Sequence, residues 1–463
     1  MRVLVAIANY GTGNRQYLES VLDVYRLMPI DVKIVVLSDR PKDLGEDIEV
    51  RVGLPSKNPW SLPFAHRSLF RERLNDYDWF VYSEDDTLLN YHNLTAVVEA
   101  SKLLGKKEIA GFLRTEKSVD GNIYYSSCHS HFRWLPGSVR ERNGHLWAEY
   151  SNEHAACFVA SREQLTDAIH SGGFPLAPHE GRYDMLVSAA TDIYSQCGLE
   201  RLVCLDRLDD FTLPHLPNKY IGRMGLPCNE MDWQLDALRK IYRGESTEEE
   251  MCDPETKFPG SYGSKHFREE PDPFLQSMVD PIKGLVVVWG AGDGLFEQGF
   301  VGSGRHVAVV AFNAVMAECC KRRGIDVVGI ARLETGTAKA TADALILADV
   351  LHLVRDPHEL LMQIQGTLRS GGTLLIRVPN FRNISMIKRR WKKPAFRLPL
   401  IPETTGAFAF TEGQLTKLLQ RSGYTTIDCR ALVTDRLERI NKLTFGFFSS
   451  NLSQFLYIIA KKK

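Results

Sequence analysis

Hydrophobic positions along the chain fall into short unbroken runs separated by amphipathic stretches. Val3-Leu4-Val5-Ala6-Ile7-Ala8 opens the series. Such a run suits a strand buried on both faces of a parallel sheet. It ends at Asn9-Tyr10-Gly11-Thr12-Gly13, and a helix is predicted over about 16–27. Val32-Lys33-Ile34-Val35-Val36-Leu37-Ser38-Asp39 predicts a second strand, ending in an acid. Trp79-Phe80-Val81-Tyr82 predicts another, which runs into Ser83-Glu84-Asp85-Asp86. Strands are also expected at 108–114 and 155–160, with helices between them. A second strand–helix series begins at Leu285-Val286-Val287-Val288-Trp289 and closes with Phe455-Leu456-Tyr457-Ile458-Ile459-Ala460. Residues 226–282 show no long strand pattern; they hold a predicted helix at 231–243 and Glu-rich and Pro/Gly-rich pieces. The pattern describes an α/β protein with domains over 1–225 and 283–463, joined by a partly ordered linker over 226–282.

A length of 463 residues agrees with two domains. Lys plus Arg and Asp plus Glu balance at 57 each, so nucleic acid is not expected as a partner. The opening apolar run is too short for a signal peptide and lacks a cleavage pattern. No apolar run reaches the length of a membrane span. The 9 cysteines form no repeated CxxC pair, so neither zinc nor a disulfide framework is expected, and reduced thiols in a cytoplasm are.

The acids change the picture most. Glu84, Asp85 and Asp86 follow directly on a buried strand. In an open α/β sheet, ligands bind outside the carboxyl ends of the strands. Adjacent carboxylates repel, and Mg²⁺ or Mn²⁺ with a substrate diphosphate would relieve the repulsion. The alternative is a charged turn in which Glu84 or Asp85 caps the next helix.

Hydrophobic strand, Glu84-Asp85-Asp86, then Thr87-Leu88-Leu89 resembles the acidic metal motif of GT-A fold glycosyltransferases. The resemblance implies a mixed sheet with flanking helices, a nucleotide-sugar donor (a UDP-sugar favoured) and a glycan or glycolipid acceptor. By position it makes Asp86 the metal ligand and sets Glu84 and Asp85 toward the ribose or metal waters. It implies that Asn9, Tyr10 and Asp39 cradle the nucleoside, and that His66 and Arg67 face the nucleotide, Arg67 on phosphate. Asp39 reads otherwise as a solvated turn residue, and His66-Arg67 as a surface pair at a helix start. His215, in a proline-flanked setting, would complete the metal shell, with Lys219 near phosphate. Asp184, then Glu180, would be the carboxylate base that deprotonates the acceptor hydroxyl; Asp184 reads equally as a helix cap. The aromatics of 115–150, such as Tyr125, Trp134 and Trp147, would form an acceptor surface or ordinary packing.

In the second series, Trp289-Gly290-Ala291-Gly292-Asp293-Gly294 resembles the first motif of class I methyltransferases. The segments at 343–357, 367–380, 410–424 and 455–460 match that family's later strands and helices. The resemblance implies a Rossmann-like fold and S-adenosylmethionine lined by Gly290, Gly292 and Gly294. Strand two ends in Phe312-Asn313 where relatives carry an acid, so Asn313 would substitute in part. Val328-Gly329-Ile330-Ala331 lacks a further customary acid, and Leu351-His352 stands where relatives carry Glu-His. A working methyltransferase and a structural relic both remain open on these residues.

The expected function is metal-dependent sugar transfer in polysaccharide building, fused to a methyltransferase-like domain. The alternatives are methyl transfer to a glycan recognised by the first half, and a non-catalytic scaffold. The basic run Lys388-Arg389-Arg390-Trp391-Lys392-Lys393 reads as a solvated face or as contact with an anionic glycan or the inner face of a membrane, and the aromatic stretch 443–456 as a lid, an interface or a weak membrane contact.

Overall fold

A computed structural model of the chain describes all residues except 222–224, 248, 259–261, 303–304, 330–341, 393–396, 398 and 433–451. It divides into two compact units, Met1–Tyr242 and Arg243–Lys463.

The first unit is built on β1 (Arg2–Asn9), β2 (Asp31–Ser38), β3 (Ile48–Val52), β4 (Trp79–Glu84) and β10 (Cys157–Ser161). Their order is β10-β4-β1-β2-β3. Strands β1 to β4 are parallel, and β10 runs antiparallel along β4. Val3 to Ile7 are wholly buried because β1 has a neighbour on each side and packing on each face. Helix α1 (Arg15–Arg26) buries Leu18, Val21, Leu22 and Tyr25, the i, i+3, i+4, i+7 stripe of an amphipathic helix. The register aligns Asn9 with Ser38 and Ala8 with Glu84, so Asn9, Asp39 and the acidic triplet share one edge of the sheet.

Two four-stranded sheets complete this unit. One is β5 (Glu108–Ala110), β11 (Glu200–Cys204), β9 (His145–Ala148) and β8 (Arg140–Arg142). The other, in the order β12-β6-β7-β13, joins β12 (Thr212–Pro214), β6 (Leu113–Lys117), β7 (Ile123–Tyr125) and β13 (Leu226–Pro227). The parallel pairing of β12 with β6 returns residues 212–216 to the acidic motif. Leu88 N–H donates to Pro214 O (3.0 Å) and Leu216 N–H to Asp86 O (2.9 Å). Tyr125, Trp134 and Trp147 are buried, and Trp134 meets Tyr150 edge-on at 5.0 Å. These three therefore serve packing rather than an acceptor surface.

The second unit is one seven-stranded sheet. Its strands are β14 (Gly284–Ala291), β15 (Arg305–Ala311), β16 (Asp326–Val327), β17 (Ala342–Ala348), β18 (Leu368–Pro379), β19 (Tyr424–Ala431) and β20 (Phe455–Lys462). The order is β16-β15-β14-β17-β18-β20-β19, parallel except for the antiparallel β20. This is a Rossmann-like sheet with an antiparallel end.

The expected linker is divided between the units. The helix Cys228–Tyr242 belongs to the first. Residues 250–258 and 262–268 form a strap across the strand ends of the second, and the helix Pro273–Val279 packs Leu275 and Val279 against Val286 and Val288.

Candidate functional site

At the carboxyl ends of β1, β2 and β4 the polar side chains form one network. Asp85 accepts from the amides of Asn9 and Asn14, the latter at 2.8 Å. Burial pushes its carboxyl up to about 6, against those hydrogen bonds. The Lys42 ammonium donates to Asn9 O (3.1 Å) and to its side-chain oxygen. Gly11, at φ +65°, donates its N–H to Asp39 Oδ1 (2.8 Å). Burial opposes the charge on Asp39, but Arg40 and that N–H outweigh it and hold the carboxyl below its ordinary range. Tyr10, beside this network in sequence, is 51% exposed.

Asp86 and His215 are brought together: Asp86 Oδ2 lies 3.5 Å from His215 Nε2. On the other side of the ring, Nδ1 lies 2.5 Å from Glu116 Oε1, and Glu116 Oε2 accepts the Tyr220 N–H at 2.8 Å. A carboxylate behind an imidazole fixes its tautomer and leaves the other nitrogen for a cation. Burial disfavours the charged Asp86, but His215, then Arg114 and Lys219, overcome this and lower its pKa. Asp86 Oδ1 is buried with no hydrogen-bond partner, an atom a cation would satisfy. The donor set thus fits Mn²⁺ or Mg²⁺ held by two side chains, with water and phosphate oxygens as the rest. Among the described residues no group of three or more His, Cys, Asp or Glu side chains is arranged to hold a metal alone.

Glu84 is half-buried, and burial, then Asp86, pushes its carboxyl up to about 8. Asp184 is among the charges acting on Glu84, which puts it within electrostatic reach of the triplet. Its Oδ1 accepts the Val187 N–H (3.0 Å), so it also caps the helix Met185–Ser195. Glu180 and Lys219 are exposed.

Two expected donor-binding residues are structural instead. His66 is fully buried, its Nδ1 2.7 Å from Pro63 O, among the rings of Phe70, Tyr82, Phe158 and Phe174. Arg67 is buried and ion-paired with Asp192 at 2.6 Å. A cavity of about 660 Å³ does border Arg67, with Arg51, Phe64, Arg71 and Leu176, but none of the acidic triplet lines it. Sequence reasoning missed Asn14, Lys42, Arg114 and Glu116. Only the alternation of Arg114 and Glu116 along one strand hinted that the two share a face.

In the second unit, Gly290 (φ +77°) and Gly294 (φ +92°) adopt the left-handed backbone that a glycine turn at a strand end requires. The strap covers that turn. Phe267 O accepts the Asp293 N–H (2.7 Å), and a Cβ at Gly292 would overlap the same carbonyl. The Lys265 ammonium, 4% exposed with its residue, donates to Ala348 O at 2.9 Å. Tyr262 Oη donates to Asn380 O (2.8 Å), and Met251 N–H to Phe312 O (3.2 Å). His352, in the altered pair, has Nε2 2.7 Å from Gly263 O. Asn313 caps its own helix through Met316 N–H (3.0 Å) and lies 3.4 Å from Glu250 Oε1, which supplies a carboxylate near the end of strand two. Of Val328-Gly329-Ile330-Ala331, the last two residues lie outside the described residues, as does most of 443–456. The Phe267 carbonyl and the Lys265 ammonium thus stand over the Gly292 turn and the end of β17, groups with which S-adenosylmethionine lying there would compete.

Residues 274–428 match a family model described as a methyltransferase domain. No curated protein matches the chain. Among solved structures it is similar to an S-adenosylmethionine-dependent methyltransferase from Mesorhizobium loti (18% identity, covering 41% of this chain and 96% of that one, TM-score 0.31). It is also similar to one from Archaeoglobus fulgidus (19%, covering 41% and 93%, TM-score 0.28). A third, from Methanosarcina mazei, shares 17% identity over 42% of this chain and 99% of that one, at a TM-score of 0.30. The family model lies within the second unit, so that unit is the part of the chain similar to a methyltransferase domain. The family model stops short of the first unit, so the expectation of sugar transfer gains no support from it.

Proposed function

We propose that the chain is a transferase whose better-supported activity is S-adenosylmethionine-dependent methyl transfer by residues 243–463, acting on a glycan. The family-model match over 274–428 carries this reading. Gly290, Gly292, Gly294 and Asn313 would line the cofactor, and the strap at 262–268 has to leave before it can bind. The test is calorimetry of S-adenosylmethionine with wild type and Lys265→Met. Binding that strengthens in the variant supports the reading; no binding to either protein overturns it.

The first unit supports a second reading, favoured by the Asp86–His215–Glu116 arrangement. It is sugar transfer from a nucleotide-diphosphate donor, UDP-linked by preference, to a glycan or glycolipid. Asp86 and His215 would hold Mn²⁺ or Mg²⁺, which when bound neutralises a leaving diphosphate. Glu116 keeps the His215 Nε2 lone pair directed at that place. Asn9, Tyr10, Asp39 and Asp85 would receive the nucleoside. Asp184, or Glu180, would take the proton of the acceptor hydroxyl. Manganese-dependent UDP binding that disappears in Asp86→Ala supports this reading. No described helix is long and apolar enough to cross a membrane. Peripheral contact at the inner face, in a cytoplasmic protein, would use the helix Ile384–Lys392, whose Trp391 is 82% exposed.

A further inference from the structure

A buried cation left without a counter-ion or hydrogen-bond acceptors is costly, so proteins supply such groups with one or the other. Three buried arginines here obey that rule. Arg67 directs its Nη atoms at Leu176 O (3.0 Å) and Asp192 (2.6 Å). Arg201 directs its Nη atoms at the carbonyls of Asn152 (2.9 Å) and Phe112. Arg377 spends its own on Asp272 (3.1 Å), Glu269 and Asp349.

Arg114 does not. It is 5% exposed, and its backbone N–H donates to Ser127 Oγ at 3.0 Å. Among the described residues its guanidinium makes no hydrogen bond or ion pair, and its Nε is buried and orphaned. It alternates with Glu116 on β6, so it shares the face that carries the carboxylate behind His215. Its charge reaches Glu84 and Asp86 without touching either. The planar fork of an arginine is suited to two oxygens of a phosphate group.

We propose that Arg114 is a diphosphate-binding residue of the first unit, its two Nη atoms taking phosphate oxygens of a nucleoside diphosphate beside Asp86 and His215. The inference rests on the nucleotide-sugar reading of that unit. It replaces Arg67, which is already paired, as the phosphate cation.

The test uses the full chain and two measurements, calorimetry with Mn²⁺ present and thermal unfolding without ligand. The probes are UDP, inorganic pyrophosphate and uridine. Arg114→Met is expected to weaken UDP and pyrophosphate binding by about tenfold or more and to leave uridine binding as in wild type. Its unfolding temperature is expected to equal or exceed that of wild type, because an unpaired buried charge has been removed. A merely structural Arg114 predicts the reverse: a lower unfolding temperature, or failure to fold, with UDP affinity kept in any folded fraction. Equal UDP affinity in variant and wild type, or an equal loss for uridine, overturns the inference and leaves the nucleotide-sugar reading standing. Absence of any UDP binding to wild type overturns both.

Discussion

The two units present the same feature, the carboxyl ends of parallel strands, in opposite states. In the first, the ends of β1, β2 and β4 are loaded with Asn9, Asp39 and the Glu84–Asp86 triplet, and Asp86 Oδ1 and Arg114 Nε are buried with no partner. In the second, four main-chain groups at the strand ends, Phe312 O, Asp293 N–H, Ala348 O and Asn380 O, are bonded by the strap. Buried polar groups are nearly always paired, so Asp86 Oδ1 and Arg114 Nε are atoms a ligand could satisfy, though the second unit holds orphans of the same kind at Asp349 Oδ1 and Arg377 Nε. Strand ends already paired mark a place where a ligand must compete with the chain. The family model therefore falls on the unit with the more occluded strand ends.

The comparison breaks most sharply at the metal pair. Asp86→Ala is expected to reduce manganese-dependent UDP affinity by at least about 100-fold, measured by calorimetry. Unchanged binding would mean that the acids of the first unit serve only its fold. Glu116→Gln comes next. It keeps the volume but removes the charge that orients His215, and should weaken Mn²⁺ binding by about 10- to 100-fold, read from the loss of the free-ion signal in a manganese titration. Affinity equal to wild type would break the link between Glu116 and a metal.

The strap sets the third effect. Lys265→Met removes one charge-assisted hydrogen bond to Ala348 O. S-adenosylmethionine affinity should rise by about tenfold if the strap competes with it. A fall instead would show that Lys265 belongs to the cofactor's own contacts.

How far the sequence foretold these differences varies with how local their causes are. The unbroken apolar runs of β1, β4 and β14 announce buried parallel strands, and the acids after Tyr82 announce a loaded strand end. The meeting of Asp86 with His215 was legible only through a family's residue order, since 129 positions separate them and the pairing of β12 with β6 joins them. Arg114 and Glu116 carry no local signal beyond their alternation on β6, because what they face is set by that same pairing. His66 and Arg67 misled because a His-Arg pair at a helix start looks polar, while the sheet beneath buries both in aromatic rings and an Asp192 ion pair. The strap was legible as a linker alone: it has no periodicity, and its course follows the strand-end groups it bonds.

The smallest effect is in pH, and it tests whether the strap is held as tightly as its hydrogen bonds suggest. His352 is fully buried, with Gly263 O on Nε2 and Asp349, Lys265 and Arg377 near enough to act on it. Burial is the largest cause that lowers its pKa, from an ordinary 6.5 to about 4. A folded pKa below the unfolded one means that the unfolded chain binds the proton more readily. The stability tied to neutral His352 is therefore whole above 6.5 and is lost as pH falls through about 4. Between pH 7 and pH 5 the loss amounts to at most about 2 kcal/mol. Denaturant unfolding of wild type and His352→Gln at the two pH values reads it as a difference of differences, which cancels the contribution of His66, held at about 3 in the other unit. A variant that loses as much stability as wild type would mean that His352 titrates normally, and that the strap over it is loose enough to admit water and a cofactor.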